Sequence, residues 1–311
     1  MESTPPRSPT LREGRLRRFA TTGIAAALLL AGPFAAARAQ EPPTSSGTTA
    51  SDTLATPASP AYADLVELAE AAEVTLVAEI ADQATVKPER APGLEPGKAR
   101  LYLEAETETL LAGPSIIGQS LAFLADRDLD ARGRAPKLKG QRYLLFARTV
   151  PGRAGELQLV RPSAMQPASP ALIERARTVL RQLAEEPLPR ITGIREAISI
   201  AGNLAGESET QMFLETQNGA PVSLNVIRRP GMEPEWGVSW SEIVDQSATA
   251  PQRETLGWYR LACSLPDELP EDIFLQDDAS ARARAREDYA FIMSELGPCE
   301  RGAVRERDRP L

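Results

Sequence analysis

Residues 101–111 alternate apolar and polar positions without a break. Leu101, Leu103, Ala105, Thr107, Thr109 and Leu111 share one side, and Tyr102, Glu104, Glu106 and Glu108 share the other. A period of two is the mark of a strand with one face on a core and one in water, and Gly113-Pro114 ends it. Shorter runs of this kind occupy 74–80 (Val74, Leu76, Ala78 and Ile80 on one face), 120–125, 142–149 and 156–160. Pro88, Pro92, Gly93, Pro96 and Gly97 make 84–98 a loop, residues 126–140 are polar, and Pro151-Gly152 and Gly155 separate the last two strands. Ahead of them, Leu65, Leu68, Ala69 and Ala72 fall at helical spacing and predict a short helix over 61–72. Five short strands in roughly 100 residues, rich in turns, predict a small OB-like or sandwich β-barrel.

The second half changes period. Ser169 and Pro170 have the chemistry of a helix N-cap and first turn, and Leu172, Ala176, Val179, Leu180 and Leu183 form an apolar stripe that Pro187 and Pro189 end. A strand is predicted at 191–200. Two more, 210–217 and 220–228, flank Asn218-Gly219, a pair that predicts a hairpin with a type I′ turn and positive φ at both positions. Met212, Leu214 and Thr216 are expected to pair with Val222, Leu224 and Val226, and Pro221 puts the start of its strand at an edge or just past the turn. Trp236, Val238 and Trp240 alternate on a further strand. Helices are predicted over 251–262 and over 279–296, the latter carrying Ala285, Tyr289, Ile292 and Leu296. The fold class is therefore α+β: a barrel-like domain over 61–167, then an α+β domain over 168–300 with a hairpin and C-terminal helices. The charged tail, 301–311, is expected to fray.

The N-terminus predicts export. Arg12, Arg15, Arg17 and Arg18 precede an apolar run from Ile24 to Ala37 that Gly32 and Pro33 interrupt and Ala37-Arg38-Ala39 closes. This is a signal peptide over 1–39, cleaved between Ala39 and Gln40, because a membrane span needs about 20 mostly apolar residues. Arg17-Arg18-Phe19 has a loose twin-arginine look, and the general secretory route is favoured. Residues 40–60 are Pro-, Ser- and Thr-rich and are expected to be a disordered linker. The mature chain is expected to carry no integral span and to work in the periplasm or outside the cell.

Charge and composition then narrow the chemistry. Net charge is −8, and loss of residues 1–39, with six arginines and two glutamates, leaves −12. Such a chain repels phosphate backbones, so no nucleic-acid partner is expected. Histidine is absent, which excludes Ser-His-Asp and Cys-His nucleophile machinery and histidine-bearing zinc sites. No metal and no cofactor are expected. Cys263 and Cys299 are the only cysteines; in an oxidising compartment they are expected to form a disulfide.

Carboxylates remain. Glu235 and Glu242 flank Trp236 and Trp240, and a carboxylate pair beside tryptophan faces is what a glycoside hydrolase would use. The competing account places the tryptophans in a core and the glutamates in water. Glu104, Glu106 and Glu108 could line a cation site but are expected to solvate the outer side of their strand. Gly202 and Gly206 lack the Lys-Ser/Thr of a phosphate loop, and Arg228-Arg229 beside Pro230-Gly231 is expected to be a turn-flanking surface pair. The expected function is a non-catalytic binding or structural module with a protein or envelope partner. The alternative is a carboxylate-dependent glycoside hydrolase or related envelope enzyme acting through Glu235 and Glu242.

The stretch Ala72-Glu73-Val74-Thr75-Leu76-Val77-Ala78-Glu79-Ile80 after a short helix, the long strand 101–111, and Gly140-Gln141-Arg142-Tyr143-Leu144-Leu145-Phe146-Ala147 resemble a netrin-like, metalloproteinase-inhibitor-like module. The resemblance covers 61–167 and implies an OB-type barrel. The N-terminal cysteine and the disulfides of that module are missing, so inhibition is not implied. Beyond the leader the chain also resembles a family of exported alphaproteobacterial proteins. The segment 191–246, including Gly202–Glu207 and 236–242, serves as its fingerprint, and no activity comes with it.

Overall fold

In the computed structural model, which describes residues 59–114, 117–242 and 248–302, five strands close on themselves. They are β1 (Val74–Thr85), β2 (Lys98–Ala112), β3 (Ser120–Asp128), β4 (Arg142–Thr149) and β5 (Glu156–Leu159). Their order is β1-β2-β3-β5-β4, and β4 returns to pair with β1. All neighbours are antiparallel except β3 and β5, which run parallel. A closed five-strand barrel in this order is compatible with an OB-like barrel. Register shifts in β1 at 75/76, 77/78 and 80/82 supply the local bends that closure needs. A strand too short to foresee, β6 (Met165–Pro167), adds to β4 beyond the barrel.

The barrel interior holds Leu76, Ile80, Leu101, Leu103, Phe123, Tyr143, Leu145 and Met165. A second core begins on the outside of the same wall, where Val77, Leu144 and Phe146 face away from the barrel. Residues 143–147 are thus all buried, which explains why this strand is a continuous apolar run rather than an alternating one. On β2 the inward row ends early: Leu101, Leu103 and Ala105 are buried, but Thr107 is half-buried and Thr109 exposed as the strand passes the rim. The predicted loop 84–98 is shorter than expected, since β1 continues to Thr85 and β2 begins at Lys98.

That second core gathers four helices and a sheet. Helix α1 (Tyr62–Ala71) lies beside α2 (Pro170–Glu185), and Tyr62 Oη donates to Gln182 Oε1 at 2.6 Å. Ser169 caps α2 by accepting from the Leu172 N–H, as its sequence predicts. A four-stranded antiparallel sheet follows, ordered β10-β9-β8-β7: β7 (Ile191–Ala201), β8 (Ser208–Thr216), β9 (Val222–Arg228) and β10 (Glu235–Ser239). Met212, Leu214, Val222, Leu224, Val226, Trp236 and Val238 face this core. Helices α3 (Leu256–Ala262) and α4 (Ala279–Leu296) complete it, linked by Trp258 Nε1 donating to the Leu296 carbonyl at 2.8 Å.

Three expectations need correction. The β8–β9 turn is not type I′: Gly219 has φ +72°, but Asn218 is not among the positive-φ residues. Gly219 N–H donates to Thr216, and Asn218 Oδ1 accepts from Ala220 N–H. Pro221 has no N–H for the ladder, so pairing resumes only at Val222, opposite Leu214; Thr210 takes Val226, while Thr216 pairs with Ile191 on β7. Helix α3 starts at Leu256, where Thr255 caps it, not near Pro251. The tail is not frayed from residue 301: Arg301 pairs with Glu67, and Gly302 N–H donates to Asp64 Oδ2 at 2.8 Å. At the other end Pro60 is buried, with its carbonyl accepting from Arg175. The signal peptide, the Ala39/Gln40 cleavage point, most of the 40–60 linker and the tail beyond 302 lie outside the described residues.

Candidate functional site

The two glutamates singled out in the sequence do not converge. Glu235 opens β10, is exposed, and pairs with Arg229 at 2.6 Å. Glu242 lies three residues past the far end of that strand. The four residue steps from 235 to 239 alone span about 13 Å, beyond the separations of roughly 5–9.5 Å that glycoside hydrolysis uses. Trp236 points the other way, into the core, and Trp240 packs against the same cluster. The tryptophans therefore offer no face beside Glu235.

Glu242 instead borders a cavity of about 230 Å³ at the hairpin end of the second sheet, with Arg195, Phe213, Pro221, Ser223 and Ser241. The Arg195 guanidinium sits over the Phe213 ring, 6.0 Å from its centroid. Sequence reasoning missed Arg195 and Phe213. One sits on β7 and the other on β8, and only the strand register brings them together.

A second surface lies on the outside of the barrel. Tyr102 and Leu124 are directly opposite each other on β2 and β3 and are 40% and 50% exposed. Next to them runs an acidic ladder: Glu104 faces Asp82 and Glu106 faces Glu79 across β1 and β2. Glu108 is taken by Arg142, at 2.5 Å. Like charges directly opposite each other cost stability in a sheet; Lys139, at 3.4 Å from Asp82, and Arg142, opposite Glu79 on β4, offset part of the negative charge of this face. Among the described residues no histidine, cysteine or carboxylate group forms a metal-ligand set.

The remaining buried charges hold elements together. Asp288 on α4 accepts from Arg228 at the end of β9 and from the Thr210 hydroxyl on β8, and Thr210 also contacts Ser199 Oγ at 2.9 Å. On α1, Asp64, Glu67 and Glu70 stand three residues apart. Asp64 accepts from Ala61 N–H, Glu67 pairs with Arg161, and Glu70 pairs with the buried Arg260 and with Arg190. Cys263 and Cys299 are at disulfide distance, with Cα atoms 5.0 Å apart, and join the end of α3 to the segment past α4.

Local hydrogen bonds set the resolved carboxylate shifts. The Thr149 hydroxyl and N–H hold Glu73 below the usual carboxylate range, and Asp278, the N-cap of α4, is lowered by Ser280 and Ala281. Burial pushes the phenols of Tyr62, Tyr143, Tyr259 and Tyr289 up. None of these groups borders the cavity.

No protein-family model matches the chain, and no curated protein is significantly similar to it.

Proposed function

We propose that this is an exported, non-catalytic binding module of the periplasm that meets a protein partner through the outer face of β2 and β3. The observation that carries the reading is the exposed cross-strand pair Tyr102–Leu124 beside the ladder Glu79, Asp82, Glu104 and Glu106. An exposed tyrosine is an economical anchor for an interface core, and the ladder sets the partner's sign. The partner presents an apolar knob ringed by lysine or arginine. A closed barrel with one helix before and one after it supports the OB-like, netrin-like reading, and strands 2 and 3 are the faces such barrels use for binding. Metal-directed inhibition is no part of the proposal, since no cysteine stands at Gln40. Export is supported by the arginine-led apolar run and by the Cys263–Cys299 pair.

The test is a photo-crosslinking residue at position 102 in the chain expressed with its own leader. The expected result is one adduct with a protein whose contact surface is basic, lost on Leu124→Asp and weakened by salt. No adduct, or one indifferent to Leu124→Asp and to salt, overturns the surface. A chain recovered from the cytosol with Met1 intact overturns export; recovery from the periplasm starting at Gln40 supports it.

A further inference from the structure

The cavity bordered by Glu242 has a lining that fits a particular ligand chemistry. One wall is apolar, with Phe213 on β8 and Pro221 ahead of β9. The other carries a guanidinium, a carboxylate and two hydroxyls: Arg195, Glu242, Ser241 and Ser223. Arg195, more than half exposed, lies over the Phe213 ring, at 6.0 Å, with Glu196 at 3.7 Å. Its planar fork offers N–H donors at the edge of the cavity. Glu242 is exposed, and among the described residues no ion pair engages its carboxylate. Ser223 is almost wholly buried, and its Oγ has no hydrogen-bond partner. A buried hydroxyl left without a partner is costly, and a ligand hydroxyl reaching that floor would supply one.

We infer that this cavity binds a neutral sugar ring without hydrolysing it. One cation and one anion line it, so a charged ligand loses at one wall what it gains at the other. A pyranose has an apolar C–H face for Phe213 and Pro221 and a rim of hydroxyls that both donate and accept. Its volume, about 230 Å³, holds one such ring. Glycoside hydrolysis is not part of the inference, because Glu235 stands at the opposite end of β10. The inference is independent of the barrel face and of export.

The experiment is saturation-transfer NMR on the intact purified chain with methyl β-glucoside and N-acetylglucosamine as neutral probes. Glucuronate serves as the anionic comparison and leucine as the zwitterionic one. The expected result is saturable millimolar binding of a neutral probe, with both comparisons weaker. Glu242→Gln, an exposed position, is expected to weaken that binding about tenfold, the range of one charge-assisted hydrogen bond. Glu235→Gln is expected to leave it unchanged, and Phe213→Ala to weaken it in a variant shown to be folded by circular dichroism. Absence of saturable binding, indifference to Glu242→Gln, or tighter binding of leucine than of either sugar overturns the inference.

Discussion

Arg228 Nε donates to Asp288 Oδ1 at 2.5 Å, joining the last residue of β9 to the middle of α4. The carboxylate is closed to solvent, while a quarter of the arginine side chain remains exposed. Thr210 meets the other oxygen from the neighbouring strand, so one aspartate satisfies donors from two strands.

Asp288→Ala is therefore expected to be the most damaging single change on α4. It leaves Arg228 with the exposed Glu287, at 3.2 Å, and Thr210 with Ser199 Oγ, at 2.9 Å. The loss is therefore expected to fall below about 3–5 kcal/mol, the cost of a buried pair broken from one side. Asp288→Asn keeps an acceptor for one donor only and is expected to cost less. Urea unfolding reads both values. A loss below about 1 kcal/mol for the alanine variant would show that water replaces the carboxylate.

The Cys263–Cys299 pair closes a loop with a sequence separation of 36. Chain-entropy arithmetic for a loop of that length gives roughly 4 kcal/mol. Its structural consequence lies just beyond it, where Arg301 and Gly302 dock on Glu67 and Asp64 of α1. The Cys263→Ser/Cys299→Ser double variant is expected to lower stability by that order. It is also expected to raise amide exchange in the first turns of α1. Exchange that rises in α4 but not in α1 would show that Arg301 and Gly302 dock without the disulfide.

Much of this architecture was legible because period two and period 3.6 are local properties. The strand over 142–149 and the helix over 279–296 are found with the bounds the sequence predicts. What the pattern could not carry was the second burial of β4, since Leu144 and Phe146 are covered by elements far along the chain. At Asn218-Gly219 only Gly219 takes a positive φ, and Pro221 delays the ladder to Val222; the residue pair alone set neither. Glu242 was visible as a carboxylate near tryptophan. The ring that shares its cavity, Phe213, is set by register and leaves no local mark.

Alkali is expected to destabilise the fold above about pH 10, the ordinary phenol range. Tyr62, Tyr143, Tyr259 and Tyr289 are buried, and burial raises each phenol above that value. The unfolded chain then releases protons that the folded chain retains, so stability falls as pH rises. Below that range the contribution is fully present. The phenolate absorbance of these four tyrosines is expected to appear together with loss of the fold. Four phenols that ionise while the far-ultraviolet circular dichroism stays native would contradict their burial.

Gly237 sits in the middle of β10, opposite Asn225, and the backbone of Ala248 and Thr249 packs directly onto it. Its side of the sheet is the one facing away from Trp236 and Val238, because neighbouring residues of a strand alternate faces. A Cβ there would run into the Ala248 carbonyl group rather than into a side chain that could swing aside. Gly237→Ala is accordingly expected to destabilise by about 1–3 kcal/mol, the usual cost of overpacking. Glycine to alanine in a strand would otherwise help slightly, since glycine has the larger entropy to lose, so the sign separates the two effects. Thermal unfolding of the variant reads it. A raised midpoint would mean that the 248–249 backbone moves off the sheet at no cost.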